Sequence, residues 1–299
     1  MNEVAMKLSN EKAKRQGLKS CNLNDIMFPV ENVKQTEFAC NSDYTNDIFG
    51  YLGADVEQGI MGVKTRLNTC SDRYKLVTNA EVFLPVRELL QGKGIDFTET
   101  YMQKDNARFY GQFSINANPF HVNGNPKDEI YPMLRVQHSY NGLTKYLISF
   151  GYYRLVCTNG LTIPVKEMNE FNMGIGGKHT ISIETAMKKL SVHLNMFIDQ
   201  SSNFLHNFDV LAQKEVLNWE DRLKEVMTAT KISMGNNPET TKDYFAEIIN
   251  REMDYYGGVT NDFLIYNALN QYVNDNKLNT IVPEKRQEID RNVLIHMLS

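Results

Sequence analysis

The chain has 299 residues, of which 42% are apolar and 23% charged, with a formal net charge of −4. That balance excludes a disordered chain, and no apolar run approaches the ~18 residues that span a bilayer as a helix. A pI near 5.9 also argues against a duplex-DNA binder built on one strongly basic face.

The length suggests more than one structural region. We expect an N-terminal extension over residues 1–62, mostly loop with short strands. An α+β sheet domain follows over 63–180, and a helical C-terminal region over 181–299. The first residues, MNEVAMKLSNEKAKRQG, lack the apolar segment of a signal peptide, so the expected compartment is the cytoplasm of the cell that makes the protein.

Residues 26–30 and 36–39 read as short extended pieces, and the glycines between 50 and 62 point to loops with little helix. Residues 63–67 and 74–77 read as strands. Asn79 is a plausible N-cap for a helix carrying Phe83, Val86, Leu89 and Leu90, with Pro85 distorting its first turns. Strands are expected over 95–102 and 107–117, with Gly111 marking a bulge. Strands, a helix and more strands in this order imply an antiparallel sheet with one packed helix, hence α+β.

Residues 130–165 read as a long ribbon turning at Asn141-Gly142, because a two-residue type I′ turn needs positive φ at both positions. Side chains alternate, so Leu134, Val136 and Leu147 share one face, and Arg135 shares the other with Tyr146 and Tyr152. That second face suits single-stranded nucleic acid, with Tyr146 and Tyr152 as stacking platforms and Arg135, Lys145 and Arg154 on phosphates. An ordinary sheet with one wet face gives the same pattern.

The Gly-rich stretch KEMNEFNMGIGGKH ends near Lys178 and precedes a helix. Asn172 stands where a phosphate-binding loop needs its first Gly, and His179 follows the Lys, so nucleotide hydrolysis is unsupported. A backbone nest for a nucleic-acid phosphate and a plain linker both remain open there, with Lys178 as the cation. No Gly or Pro then occurs up to Met234. Leu190, Leu194, Phe197, Phe204, Phe208 and Leu211 define a seam, broken by Ser201 and shifted in register at Trp219. Such a seam packs on the chain's own helices or joins subunits of a homo-oligomer. Three more helices should begin near Pro238, Asp262 and Glu284.

Charge is unevenly divided. Residues 64–190 hold 16 Lys and Arg against 11 Asp and Glu, so this part carries +5 and the remainder −9. A basic middle with acidic flanks suits a polyanion partner, and it suits solvated surface charge equally. Cys21, Cys40, Cys70 and Cys157 form no paired motif, and the six histidines are scattered, so we expect neither metal nor other cofactor. A set of Arg154, Cys157 and His138 has the residue types for nucleophilic chemistry, but a cysteine inside a strand is usually a small buried hydrophobe. The expectation is a protein without catalytic residues.

Three stretches, SDRYKLVTNAEVF over 71–83, LRVQHSYNG over 134–142 and RLVCTNGL over 154–161, resemble the phage/plasmid-like family catalogued as domain of unknown function 932. That resemblance implies a gene carried by a phage, prophage or plasmid and no established activity. The chain is also similar, more distantly, to phage single-strand annealing proteins, which implies a curved antiparallel sheet, ring assembly and a single strand held along a basic groove. The expected function is therefore single-stranded nucleic-acid binding without catalysis. The alternative is an oligomeric factor that binds a host or phage protein, with no membrane partner in either case.

Overall fold

A computed structural model describes residues 18–35, 46–55, 58–116, 118–143, 146–154, 160–161, 183–235, 237–275 and 283–299. The chain divides into two compact units. The first comprises Met1–Ile115, Leu134–Ser149 and Glu170–Asn195, and the second Asn116–Met133, Phe150–Asn169 and Met196–Ser299.

The strands are β1 (Lys19–Cys21), β2 (Val30–Lys34), β3 (Asn46–Leu52), β4 (Val63–Cys70), β5 (Phe97–Asp105), β6 (Arg108–Ile115), β7 (Phe120–His121), β8 (Glu129–Ser139), β9 (Leu147–Arg154) and β10 (Gly160–Leu161). The larger sheet runs β1-β5-β6-β8-β9-β10 with β7 beside β8, and the smaller runs β2-β3-β4. The helices are α1 (Leu23–Ile26), α2 (Asn79–Gly92), α3 (Ile183–Ala212), α4 (Trp219–Ala229), α5 (Pro238–Met253), α6 (Asp262–Asn274) and α7 (Pro283–Leu298). The α+β class holds, with antiparallel sheets and a helical C-terminal region.

In the first unit, α2 starts one residue earlier than Asn79 would cap it. Thr78 is the N-cap, accepting from the Glu81 amide while the Glu81 carboxylate accepts from the Thr78 amide, a reciprocal capping box. Residues 74–77 form no strand, because the Tyr74 amide closes a turn onto Ser71 O ahead of that cap. Pro85 sits inside the helix and removes one amide bond from it. Val82, Phe83, Val86 and Leu90 are fully buried, the spacing of one helix face. Phe83 packs edge-on against Tyr101, with ring centroids 5.6 Å apart.

Gly111 marks no bulge. It pairs in register with Tyr101, and the irregularity falls between Gln103 and Asp105. A Cβ at Gly111 would stand 2.9 Å from the Phe83 ring, so the glycine is there to let α2 approach the sheet.

Behind α2 lies a buried polar chain. Asn79 Nδ2 donates to Ile26 O at 2.7 Å, which leaves Asn79 Oδ1 to face His138 Nδ1 at 2.9 Å, so His138 Nδ1 carries the proton. The Asn79 amide donates to the Tyr140 hydroxyl, and the Tyr74 hydroxyl donates to Tyr140 O.

Of the ribbon expected at 130–165, the described residues form β8 and β9, which are neighbours, while 144–145, 155–159 and 162–165 lie outside the described residues. Its turn is not the expected one. Gly142 has φ +68°, but the only described non-glycine residues with positive φ are Asn123 and Lys231, so Asn141 lacks the conformation of a type I′ turn. Asn141 Oδ1 instead accepts from the Leu143 amide at 3.1 Å, closing an Asx turn.

In the second unit Phe197, Phe208 and Leu211 of the expected seam are buried in α3, as is Leu205, while the Phe204 side chain lies outside the described residues. Ser201 Oγ donates to Ile198 O, which satisfies the hydroxyl that interrupts the seam. The register shift at Trp219 is a break between helices. The Val216 amide donates to Thr260 O, and the Asn218 side chain caps α4 by accepting from the Glu220 and Asp221 amides. Every residue of α6 is buried, and Phe208 lies on its Phe263 and Tyr266 at centroid distances of 5.4 and 5.6 Å. No described helix is long and apolar enough to cross a membrane.

Candidate nucleic-acid interface

The exposed cationic and aromatic face expected on the central ribbon is not there. Both faces of β8 are covered from Ile130 to Ser139, with Arg135 half-buried. Tyr146 is 5% exposed and Tyr152 1%. Tyr152 lies against Phe197 at a centroid distance of 5.2 Å, and its neighbour Phe150 lies 4.7 Å from the same ring. Burial pushes the hydroxyls of Tyr146 and Tyr152 well above the usual phenol range, so both rings are core residues. Strands covered on both sides carry apolar or satisfied residues on both faces, and alternation then says nothing about which face is wet.

Arg154 is also unavailable to phosphate. It is fully buried, donating from Nε and Nη2 to Asp128 at 2.6 and 2.7 Å and from Nη1 to Glu252 at 2.6 Å. The Tyr256 hydroxyl donates to Asp128 as well, and burial beside that carboxylate raises its pKa. Lys145 and Lys178 lie outside the described residues, as does Cys157. Among the described residues no group of three or more His, Cys, Asp or Glu is placed to hold a metal ion, and His138 is committed to Asn79.

A surface of exposed cations and half-buried aromatic rings does occur, on the small sheet of the first unit. Directly paired residues share a face. Glu31 pairs with Phe49 and Phe49 with Arg66, while Tyr51 pairs with Lys64 in the next row. The opposite face is the packed one. Ile48 is fully buried there, and a Cβ at Gly50 would stand 2.7 Å from the Phe28 ring and 2.8 Å from Leu67. Leu67 is the extra residue of a bulge opposite Ile48 and Phe49, which keeps it on the core side while Arg66 turns outward.

On the outer face Lys64 Nζ stands 4.6 Å from the Phe49 ring centroid and 5.7 Å from that of Tyr51. It also forms a 2.5 Å ion pair with Glu31. The Lys64 ammonium, with the Tyr51 hydroxyl, holds the Glu31 carboxyl below the usual carboxylate range, and Glu31 raises the Lys64 pKa in return. Arg66 is exposed beside the Phe49 row. Asp47, one row further, accepts from Gln35 Nε2 and Thr69 Oγ1. Cations next to aromatic rings on an open sheet can hold a phosphate and a base together.

Reading the sequence missed these residues. The signal was there, since Phe49 and Tyr51 alternate in NDIFGYL and Lys64 and Arg66 in VKTRLNTC. The pairing was not legible, because the expected boundary at residues 62 and 63 separated two strands that form one hairpin.

Fold and surface together define an α+β protein of antiparallel sheets that presents one mixed aromatic and cationic sheet face. The chain belongs to the family described as Domain of unknown function (DUF932), which matches residues 66–292. Arg66 is the first matched residue, so Glu31, Phe49, Tyr51 and Lys64 precede the matched span. Neither a curated protein nor a solved structure matches the chain.

Proposed function

We propose that this protein binds single-stranded nucleic acid without catalysing a reaction, as an oligomer in the cytoplasm of a cell that hosts a phage or plasmid, in an annealing or recombination step. The observation that supports this is the row Glu31-Phe49-Arg66 with Lys64 and Tyr51 beside it, on the face of the small sheet away from Ile48 and Phe28. Phe49 and Tyr51 supply stacking surfaces, and Lys64 and Arg66 supply phosphate contacts. The mobile-element assignment rests on the three sequence stretches that carry the family resemblance. The test is fluorescence anisotropy with a labelled single-stranded oligonucleotide. Binding should weaken with salt in proportion to the phosphates neutralised, and Arg66→Ala should lower the salt slope by about 0.7. No binding at low salt removes the proposal.

A second reading, a factor that binds a host or phage protein, is favoured by the loop that joins β3 to β4. Met61 in that loop is 81% exposed and Val63, at the start of β4, 69%, apolar side chains that a partner would cover. Recovery of a stoichiometric protein partner with no nucleic acid, lost in Met61→Asp, would support this reading over the first.

A further inference from the structure

Building on the nucleic-acid reading above, we infer that the Glu31 carboxylate occupies the place a backbone phosphate takes in the complex, so that binding exchanges one anion for the other on Lys64 and uncovers the Phe49 ring. Three observations carry this. Glu31 and Asp47 face Lys64 and Arg66 on the same surface, so the four charges cancel, and a neutral face attracts a polyanion poorly. The two carboxylates differ, however. Asp47 is held by two uncharged donors, Thr69 in its own row and Gln35 just past the end of β2, whereas Glu31 reaches out of its row to the Lys64 ammonium, two strands away. Lastly, Lys64 Nζ lies over the ring on which a base would stack.

The exchange is chemically even. A phosphate oxygen replaces a carboxylate oxygen as acceptor for the same ammonium, and no bond is made or broken. It is also cheap, because the Lys64 and Glu31 side chains are 48% and 38% exposed and an ion pair in water is weak. Lysine suits the move, being a compact charge on a flexible stem that can follow the phosphate off the ring. Glu31 then acts as a built-in competitor, which a ligand offering both phosphate and base displaces more readily than one offering phosphate alone.

The experiment compares the full-length chain with Glu31→Gln, titrated with a labelled thymidine oligonucleotide and, separately, with inorganic polyphosphate. Removing the competing charge should tighten binding of both roughly two- to five-fold and steepen the oligonucleotide salt slope by about 0.7. Phe49→Leu should weaken the oligonucleotide and leave polyphosphate unchanged. Tyr51→Phe, which keeps the ring and frees Glu31 of one hydrogen bond, repeats the test in the same direction should Glu31→Gln fold poorly. If the natural chain binds the oligonucleotide and neither variant binds it more tightly, Glu31 is no competitor and the nucleic-acid reading still stands. If no form of the chain binds either polyanion, both fall.

Discussion

Arg154 and Asp128 meet as a two-point pair, Nε to Oδ1 at 2.6 Å and Nη2 to Oδ2 at 2.7 Å, with neither side chain exposed. Glu252 takes Nη1 of the same guanidinium, whose carbon lies 5.0 Å from the Phe263 ring centroid. One cation thus ties the end of β9, the approach to β8, α5 and α6 within the second unit. Arginine suits this role because its planar fork serves two carboxylates at once while its face stacks on a ring.

Removing the cation leaves buried Asp128 with only the Tyr256 hydroxyl and buried Glu252 with only the more distant Arg251, at 3.7 Å. Arg154→Met should therefore cost about 3–5 kcal/mol, read as a fall in the urea midpoint. Arg154→Lys keeps the charge but loses the fork, so it should fall between the two. A midpoint for Arg154→Met within error of the natural chain would show that the pair contributes nothing to stability.

Gly111 gives a second test of packing. Its added Cβ would meet the Phe83 ring at 2.9 Å, and a ring in a close-packed core yields only by shifting α2. Gly111→Ala should cost about 1–3 kcal/mol. Phe83→Leu should recover part of that loss in the double variant, because contacting sites couple. Additive losses in the double-mutant cycle would mean the two positions are independent.

At the start of α2, Thr78→Ala removes one half of the capping box. The expected loss is about 1 kcal/mol. Thr78→Ser should be nearly neutral, since a serine hydroxyl accepts from the same Glu81 amide and donates to the same Glu81 carboxylate. A loss of equal size in both variants would point away from capping.

These sites show how far the sequence could be read. The α2 helix, the β5–β6 pair, the central ribbon and the helix starts near Pro238 and Asp262 follow from local patterns, because apolar spacing and turn residues act within a few positions. Arg154 could not be placed that way. Its partners Asp128 and Glu252 are 26 and 98 residues away, and a charged residue at a strand end reads as exposed until a partner is known. Tyr152 failed for a related reason, since its cover, Phe197, comes from a distant helix. The small sheet was missed because the strand pairing across its loop is a long-range choice, whereas the alternation in each strand was visible.

Titration of the tyrosines tests the burial pattern as a whole. Burial, with the Glu129 hydrogen bond and charge adding to it, pushes Tyr131 from 10.0 up to about 12. Burial also holds Tyr74, Tyr101, Tyr140, Tyr146 and Tyr152 above the ordinary phenol value. In the unfolded chain all of them titrate near 10. Between about pH 10 and 12 the folded state therefore keeps protons that the unfolded state has lost. Stability is full below 10 and falls as pH rises through that window. The urea midpoint should drop steadily there, and the tyrosinate absorbance of the folded protein at about pH 11 should stay well below that of its 15 tyrosines until urea unfolds it. Full tyrosinate signal at that pH with the native far-ultraviolet spectrum intact would mean that Tyr146 and Tyr152 reach solvent, and would reopen the central ribbon as a binding face.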